Sequence, residues 1–337
     1  MAEVPFHLDK LFSIIRDKSY VTLAEYMEYA LYDREYGYYM KQNPLDKDFI
    51  TSVSITQLFC ETLALWIVDE WTNFQAPVHI HLVELGAGNG TMIYDILNFL
   101  FRYHKNCFEA ISVTIIEVSP TLILVQKKKL DDFIDKVDWR QSLLYFKPCA
   151  PVLFIGNEFF DAFPVDQYLF TSRLWKQKVI SLSEEGSLCV LWKKTHNIEL
   201  PLRNIGDVIE ISTGRMTFLY DIRLIIAKYG GSGLFIDYGY FDKPYKDTVQ
   251  CMFQNSYCDL LDNVTCSDIT CYVDFSEFSP YKRYITQGEF LVQYGIYQRL
   301  ESVGQNLSFS QKCKLVYAVE RLVNRNYMGD IFKVIII

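Results

Sequence analysis

The chain has 337 residues, half of them hydrophobic and 22% charged, with a formal net charge of −8. A chain this long suits one elaborated domain or two small ones and buries roughly 75% of its unfolded surface, so it needs no disulfide or metal staple. The composition excludes wholesale disorder, and the acid excess argues against a general nucleic-acid binder, which needs a basic footprint.

Residues 7–40 read as helical, with Leu8, Leu11, Phe12 and Ile15 at helical spacing and a capping-box pair, Thr22 and Glu25. Residues 56–74 form a further helical stretch. The pattern then changes to strands at 78–85, 113–117 and 152–156, separated by helices at 91–102 and about 121–135. A helix ending at Gly230-Gly231 leads into a short strand at 234–237. This alternation predicts an α/β fold with a mostly parallel sheet covered on both faces. Two stretches depart from it. Residues 166–200 read as short antiparallel strands turning at Glu184-Glu185-Gly186, and residues 241–285 as polar, aromatic loops. Residues 331–337 read as a terminal strand.

The segment Glu84-Leu85-Gly86-Ala87-Gly88-Asn89-Gly90-Thr91 lies between a strand and a helix. Glycines there allow a tight turn and a close approach to a ligand, and the helix start offers unpaired N–H groups. A dinucleotide fingerprint would need glycine at the position of Thr91. A carboxylate at Glu84 repels a pyrophosphate but suits the cationic amino-acid end of S-adenosylmethionine (SAM). Glu117 ends the next strand, placed to accept ribose hydroxyls, as acids in NAD sites also are. SAM is therefore the expected cofactor. The alternatives are an NAD-linked oxidoreductase, which Thr91 and Glu84 disfavour, and a plain tight turn.

After the strand at 152–156 comes Asn157-Glu158-Phe159-Phe160-Asp161-Ala162-Phe163-Pro164. Asn157 offers a carbonyl acceptor to a nucleophilic N–H. Glu158 and Asp161 suit an amine or guanidinium, and Phe159, Phe160 and Phe163 can wall a site. Carboxylates that cap a following helix are the structural alternative.

Nine cysteines, including four between Cys251 and Cys271, show no Cys-x-x-Cys pair, and no histidine lies among those four. They read as reduced thiols rather than metal ligands. His79 and His81 share one strand face, where burial under a helix layer is the expected reading. The start, Met1-Ala2-Glu3-Val4-Pro5, lacks a secretory pattern, and no apolar run approaches ~18 residues. The expectation is a soluble, cytoplasmic protein without membrane insertion, or a matrix protein if it is a processed mitochondrial form.

These motifs are specific in combination. Gly37-Tyr38-Tyr39, Asp48-Phe49-Ile50-Thr51-Ser52 with Gln57 and Phe59, and the glycine loop come first. Glu117-Val118-Ser119-Pro120, Asn157 to Ala162, Ile236-Asp237-Tyr238-Gly239-Tyr240 and Val273-Asp274-Phe275 follow. Thr286-Gln287-Gly288 and Phe332-Lys333-Val334 complete the series. The chain thus resembles, over nearly its whole length, the MidA family of SAM-dependent methyltransferases. The resemblance implies a class I (Rossmann-like) fold over residues 78–337, with insertions at about 166–205 and 241–290 and an N-terminal helical extension over 1–77. It implies methylation of an arginine on a protein substrate, in the mitochondrial members a complex I subunit. Carried over by position, the cofactor site comprises Glu84, Gly86, Ala87, Gly88, Glu117 and Val118, with Asp48, Thr51 and Gln57 closing over it. Asn157, Glu158 and Asp161 face the acceptor. The chain departs from the family at Ala87 and Asn89, usually Pro and Arg, and at Val53-Ser54, usually Pro-Glu. A rival expectation is a non-catalytic SAM-binding assembly chaperone that holds its partner through Tyr36, Tyr38 and Tyr39.

Overall fold

A computed structural model describes residues 6–41, 51–172, 174–195 and 200–337. The chain divides into two compact units. One comprises residues 1–48, 161–218 and 242–272, and the other residues 49–160, 219–241 and 273–337.

The larger unit is built on a sheet of β1 (Ile80–Leu85), β2 (Ile111–Ile116), β3 (Val137–Arg140), β4 (Val152–Asn157), β5 (Gly231–Tyr240), β6 (Arg283–Thr286) and β7 (Phe332–Ile336). Their order is β3-β2-β1-β4-β5-β7-β6. All neighbouring pairs are parallel except those made by β7, which runs antiparallel to both β5 and β6. A two-residue strand, Val273–Asp274, pairs with the end of β5. All six residues of β4 are buried, as its unbroken apolar reading requires of a strand covered on both faces. Helix α1 (Gln57–Asn73) places Leu63, Trp66 and Ile67 in one core with Ile93, Ile96 and Leu97 of α2 (Thr91–Tyr103) and with Leu82, Val113 and Ile155 of the sheet. Strand order reverses between β1 and β4. The carboxyl ends of β1, β2 and β4 therefore border the crevice where ligands bind in such sheets.

The smaller unit starts with helices Phe6–Lys18 and Leu23–Tyr32. The helical pattern expected across 7–40 is interrupted at Ser19, whose φ is +70°, and by the short strand Val21–Thr22. The capping box then restarts the helix. The Thr22 hydroxyl accepts from the Glu25 N–H at 3.2 Å, and the Glu25 carboxylate accepts from the Thr22 N–H at 2.9 Å. Val21–Thr22 pairs with Trp175–Leu182, which also pairs with Asp166–Phe170 and Leu188–Lys194, all antiparallel. Antiparallel strands thus occupy 166–170, 175–182 and 188–194 of the stretch 166–200, of which residues 173 and 196–199 lie outside the described residues, with Gly186 turning at φ +80°. Residues 241–285, read as loops, contain a three-stranded antiparallel sheet of Gln250–Phe253, Ser256–Tyr257 and Asp268–Thr270. Strands of two to four residues are too short to show alternation in the sequence. Buried Glu210 accepts from Gln167 at 2.7 Å and from the Thr248 N–H at 2.8 Å. These bonds oppose the rise in its pKa that burial causes.

At the start of β5, Gly231 has φ +146°, and a Cβ there would lie 2.0 Å from the Val152 carbonyl oxygen of β4. Both atoms belong to paired backbones, so neither yields cheaply. Gly186 also has positive φ, but nothing lies within 4 Å of its would-be Cβ. Gly231→Ala is expected to cost more than ~4 kcal/mol or to abolish soluble folding, whereas Gly186→Ala costs about 1 kcal/mol. Denaturant midpoints of the two variants check this.

Candidate active site

The loop after β1 forms three successive left-handed glycines: Gly86 at φ +61°, Gly88 at +54° and Gly90 at +80°. At Gly86 the requirement is double, because a Cβ would also lie 2.8 Å from the Phe159 ring. The Gly86 N–H donates to the Ile116 carbonyl of β2 at 3.0 Å, and the Gly90 N–H to the Ala87 carbonyl at 2.8 Å. Asn89 accepts from the Thr91 N–H at 3.1 Å, closing a turn just before α2, whose N-cap is Gly90. Ala87 is buried, and Val118 stands 41% exposed after β2.

Glu84 in β1 is 1% exposed, and its Oε2 has no hydrogen-bond partner among the described residues. Burial, and secondarily the neighbouring Glu117, push its pKa up to about 8. Glu117 is also buried and raised by burial, but its oxygens are partnered. Oε1 accepts from the Ser119 N–H at 2.9 Å, and Oε2 from the Gln126 amide at 2.9 Å. The same Gln126 nitrogen donates to the Gly88 carbonyl at 2.8 Å. No lysine or arginine pairs with either carboxyl among the described residues. Two adjacent buried carboxyls without a counter-charge suit a ligand that brings a cation to Glu84 and hydroxyl donors to Glu117. The partnerless oxygen of Glu84 is the fit expected for SAM.

The second cluster stands at the end of β4. Asn157 is buried. Its amide nitrogen donates to Glu158 Oε1 at 3.0 Å, and its Oδ1 has no partner among the described residues. Glu158 has φ +50°, and its N–H donates to the Ile236 carbonyl at 2.9 Å. Its Oε1 also accepts from the Ser52 N–H at 3.0 Å, at the first turn of helix Ser52–Ile55. Asp237 of β5 fixes this loop. Its Oδ2 accepts from the N–H groups of Phe159 and Phe160 at 3.1 and 2.9 Å, and its Oδ1 from that of Tyr238 at 3.0 Å.

The expected site residues divide accordingly. Glu84, Gly86, Ala87, Gly88, Glu117, Val118, Asn157 and Glu158 all lie at the carboxyl ends of strands in the larger unit. Asp161 belongs to the smaller unit, where its carbonyl accepts from the Cys271 N–H at 3.0 Å. Thr51 is the N-cap of helix Ser52–Ile55, and Gln57 opens α1 with its side chain exposed. Among the described residues no hydrogen bond links either side chain to the glycine loop, and Asp48 lies outside the described residues. Phe160, read as a site wall, is instead a core ring packed edge-on against Phe235 and Phe278. Asp237 and Gln126 were not singled out for a role. The available signal was a polar residue ending an apolar strand in one case and a lone amide in a basic helix in the other.

The remaining candidates are structural. His79 is exposed and His81 half-buried, not covered by a helix layer. His81 Nδ1 meets the Ser112 hydroxyl at 3.0 Å, and the Cys149 N–H donates to Nε2 at 3.4 Å. No group of three or more metal-ligating side chains gathers among the described residues. Tyr38 lies in the core of the smaller unit, and the Tyr39 hydroxyl donates to Asp268 at 2.7 Å. No helix among the described residues is long and apolar enough to cross a membrane.

Residues 62–288 match a protein-family model described as "Putative S-adenosyl-L-methionine-dependent methyltransferase". The chain is 28% identical over 362 residues to "Protein arginine methyltransferase NDUFAF7, mitochondrial" of Xenopus tropicalis, covering 97% of this chain and 84% of the relative. The homolog from Caenorhabditis elegans is 30% identical over 365 residues, covering 96% and 84%. Among solved structures, a "likely methyl transferase" from Burkholderia thailandensis bound to S-adenosyl-homocysteine superposes with a TM-score of 0.84 at 23% identity, covering 98% of this chain and 91% of that one.

The raised pKa of Glu84 fixes a sign. The folded chain holds a proton that the unfolded chain releases between the ordinary 4.5 and about 8. Stability is therefore lost as pH rises through that window, and above it the ionised form is the costly one. Glu84→Gln is expected to raise the thermal midpoint by a margin that grows from pH 5 to pH 9. It should also weaken SAM binding at least ~10-fold. Thermal scans across that range and calorimetric titration check both.

Proposed function

This chain belongs to the S-adenosyl-L-methionine-dependent methyltransferase family, and from that membership we propose that its acceptor is an arginine guanidinium on a protein substrate. The cofactor is SAM, and the fold is the class I, Rossmann-like methyltransferase fold. Two observations support the acceptor reading. Relatives spanning most of this chain are named protein arginine methyltransferases. In the structure itself, the observation that carries it is the pair at the end of β4, where the Asn157 carbonyl, without a partner among the described residues, stands beside the oriented carboxylate of Glu158.

SAM supplies an electrophilic methyl carbon, and the chain supplies alignment. Positioning alone can account for ~7–11 kcal/mol of a bimolecular barrier. A guanidinium is a weak nucleophile while its lone pair is delocalised. Glu158, held by the Ser52 N–H and by Asn157, accepts from the non-reacting nitrogens and draws positive charge toward them. The Asn157 carbonyl accepts the N–H of the reacting nitrogen and orients it. No deprotonation precedes attack, since arginine has a pKa above ~12. Once methylated, the nitrogen passes its proton to solvent water, which restores the guanidinium's single positive charge. The partner fitting this reading is a respiratory complex I subunit or a related protein, met in a bacterial cytoplasm or in a mitochondrial matrix.

Glu158→Gln keeps one oxygen for Ser52 and Asn157 but removes the charge. Single-turnover methylation of an arginine-bearing subunit is expected to slow ~100-fold while S-adenosylhomocysteine (SAH) affinity stays within about twofold. Equal losses of rate and affinity would contradict the role. Tight binding of the subunit without methylation by the wild type would favour the assembly chaperone.

A further inference from the structure

We propose that Gln126 is a positioning residue for the methyl donor, holding the Glu117 carboxylate and the glycine loop in one register. Gln126 lies in α3 (Pro120–Lys129) and is wholly buried. Its amide makes three hydrogen bonds whose polarities leave one orientation. The nitrogen donates to Glu117 Oε2 at 2.9 Å and to the Gly88 carbonyl at 2.8 Å. The oxygen accepts from the Trp139 indole N–H at 3.0 Å. A flipped amide would set its oxygen against two acceptors and its nitrogen against a donor.

The consequences follow from position. Glu117 ends β2, and Gly88 is the middle glycine of the loop after β1. Gln126 therefore spans the two strand ends that receive different parts of one ligand. Its N–H neutralises the Glu117 oxygen that Ser119 does not reach, so the carboxylate keeps one rotamer. Its second N–H fixes the Gly88 carbonyl and with it the orientation of that peptide in the turn. Trp139 of β3 anchors the amide from behind, with the Lys127 ammonium 5.4 Å over the indole ring. A leucine at 126 would fill the space but leave the Glu117 oxygen, the Gly88 carbonyl and the Trp139 N–H without these bonds. The inference rests on the assignment of SAM to this crevice and adds a residue that touches no ligand.

The test is SAH titration by calorimetry on the full chain, with circular dichroism as the check on folding. Gln126→Leu is expected to weaken SAH binding about 10- to 100-fold. In a Glu117→Ala background the same substitution costs only about threefold, the part owed to the lost Gly88 bond. Gln126→Glu supplies a distinct readout. The titratable groups facing the new carboxyl are Glu117 and, beyond it, Glu84, with Lys127 on the far side of Trp139. Burial and Glu117 both favour the protonated acid, whose O–H donates to Glu117 while its carbonyl accepts from Trp139. Its SAH affinity should therefore recover toward the wild-type value as pH falls from 9 to 6. Additive losses in the double variant, or a Gln126→Glu protein whose deficit is independent of pH, would overturn the proposal alone. A wild type that binds no SAH would overturn the cofactor assignment and this proposal with it.

Discussion

Two carboxyl groups, Glu84 and Glu117, are buried side by side without a counter-charge among the described residues, and the crevice is organised around that constraint. Ionising both in a desolvated site is costly, so one keeps a proton until something positive arrives. Position decides which one. Glu117 stands at a loop and collects N–H donors from Ser119 and Gln126. Glu84 stands inside β1, where the backbone N–H groups already serve the ladder to its neighbours, and its Oε2 collects none. A glycine turn alone tolerates many ligands. The same turn behind an unsatisfied buried acid suits a cation.

The acids just after β2 and β4 and the one inside β5 sharpen that distinction. Asp237 is as buried as Glu84, yet three backbone N–H groups surround its oxygens. It locks the loop that carries Glu158 into a left-handed turn. Glu158 in turn holds the first N–H of helix Ser52–Ile55. A chain of carboxylate–amide bonds thus runs from β5 through the loop to that helix. Asp237 and Glu158 build the frame, and two of the buried atoms without a partner among the described residues, Glu84 Oε2 and Asn157 Oδ1, lie within it. Unsatisfied buried polar atoms are rare enough in folded proteins that two at neighbouring strand ends mark a site.

Much of this was legible in the sequence because it is local. Strand, glycine turn and helix follow one another without interruption, so 80–103 could be read directly, as could the capping box at Thr22 and Glu25. Glu84 was legible as an anomaly, an acid inside an apolar strand. Gln126 and Asp237 were not, because their meaning lies in partners 9 to 78 residues away. Phe160 misled for the same reason. Beside an acidic loop it reads as a site wall, but its ring belongs to a core assembled from β5 and the segment Phe275–Phe278. The short strands within 241–285 escaped because two to four residues carry no period. The departure expected at Asn89 leaves the glycine backbone in place, with the Asn89 side chain accepting from the Thr91 N–H.

The central claim is that Glu84 holds a proton in the free protein and gives it up to a cationic methyl donor. Titrating SAM at pH 7 in two buffers of different ionisation enthalpy measures the protons exchanged on binding. With a folded-state pKa of about 8, the account predicts release of about 0.9 of a proton per SAM bound. Binding with no proton exchange would mean that Glu84 is already ionised or does not meet the ligand, and would contradict it.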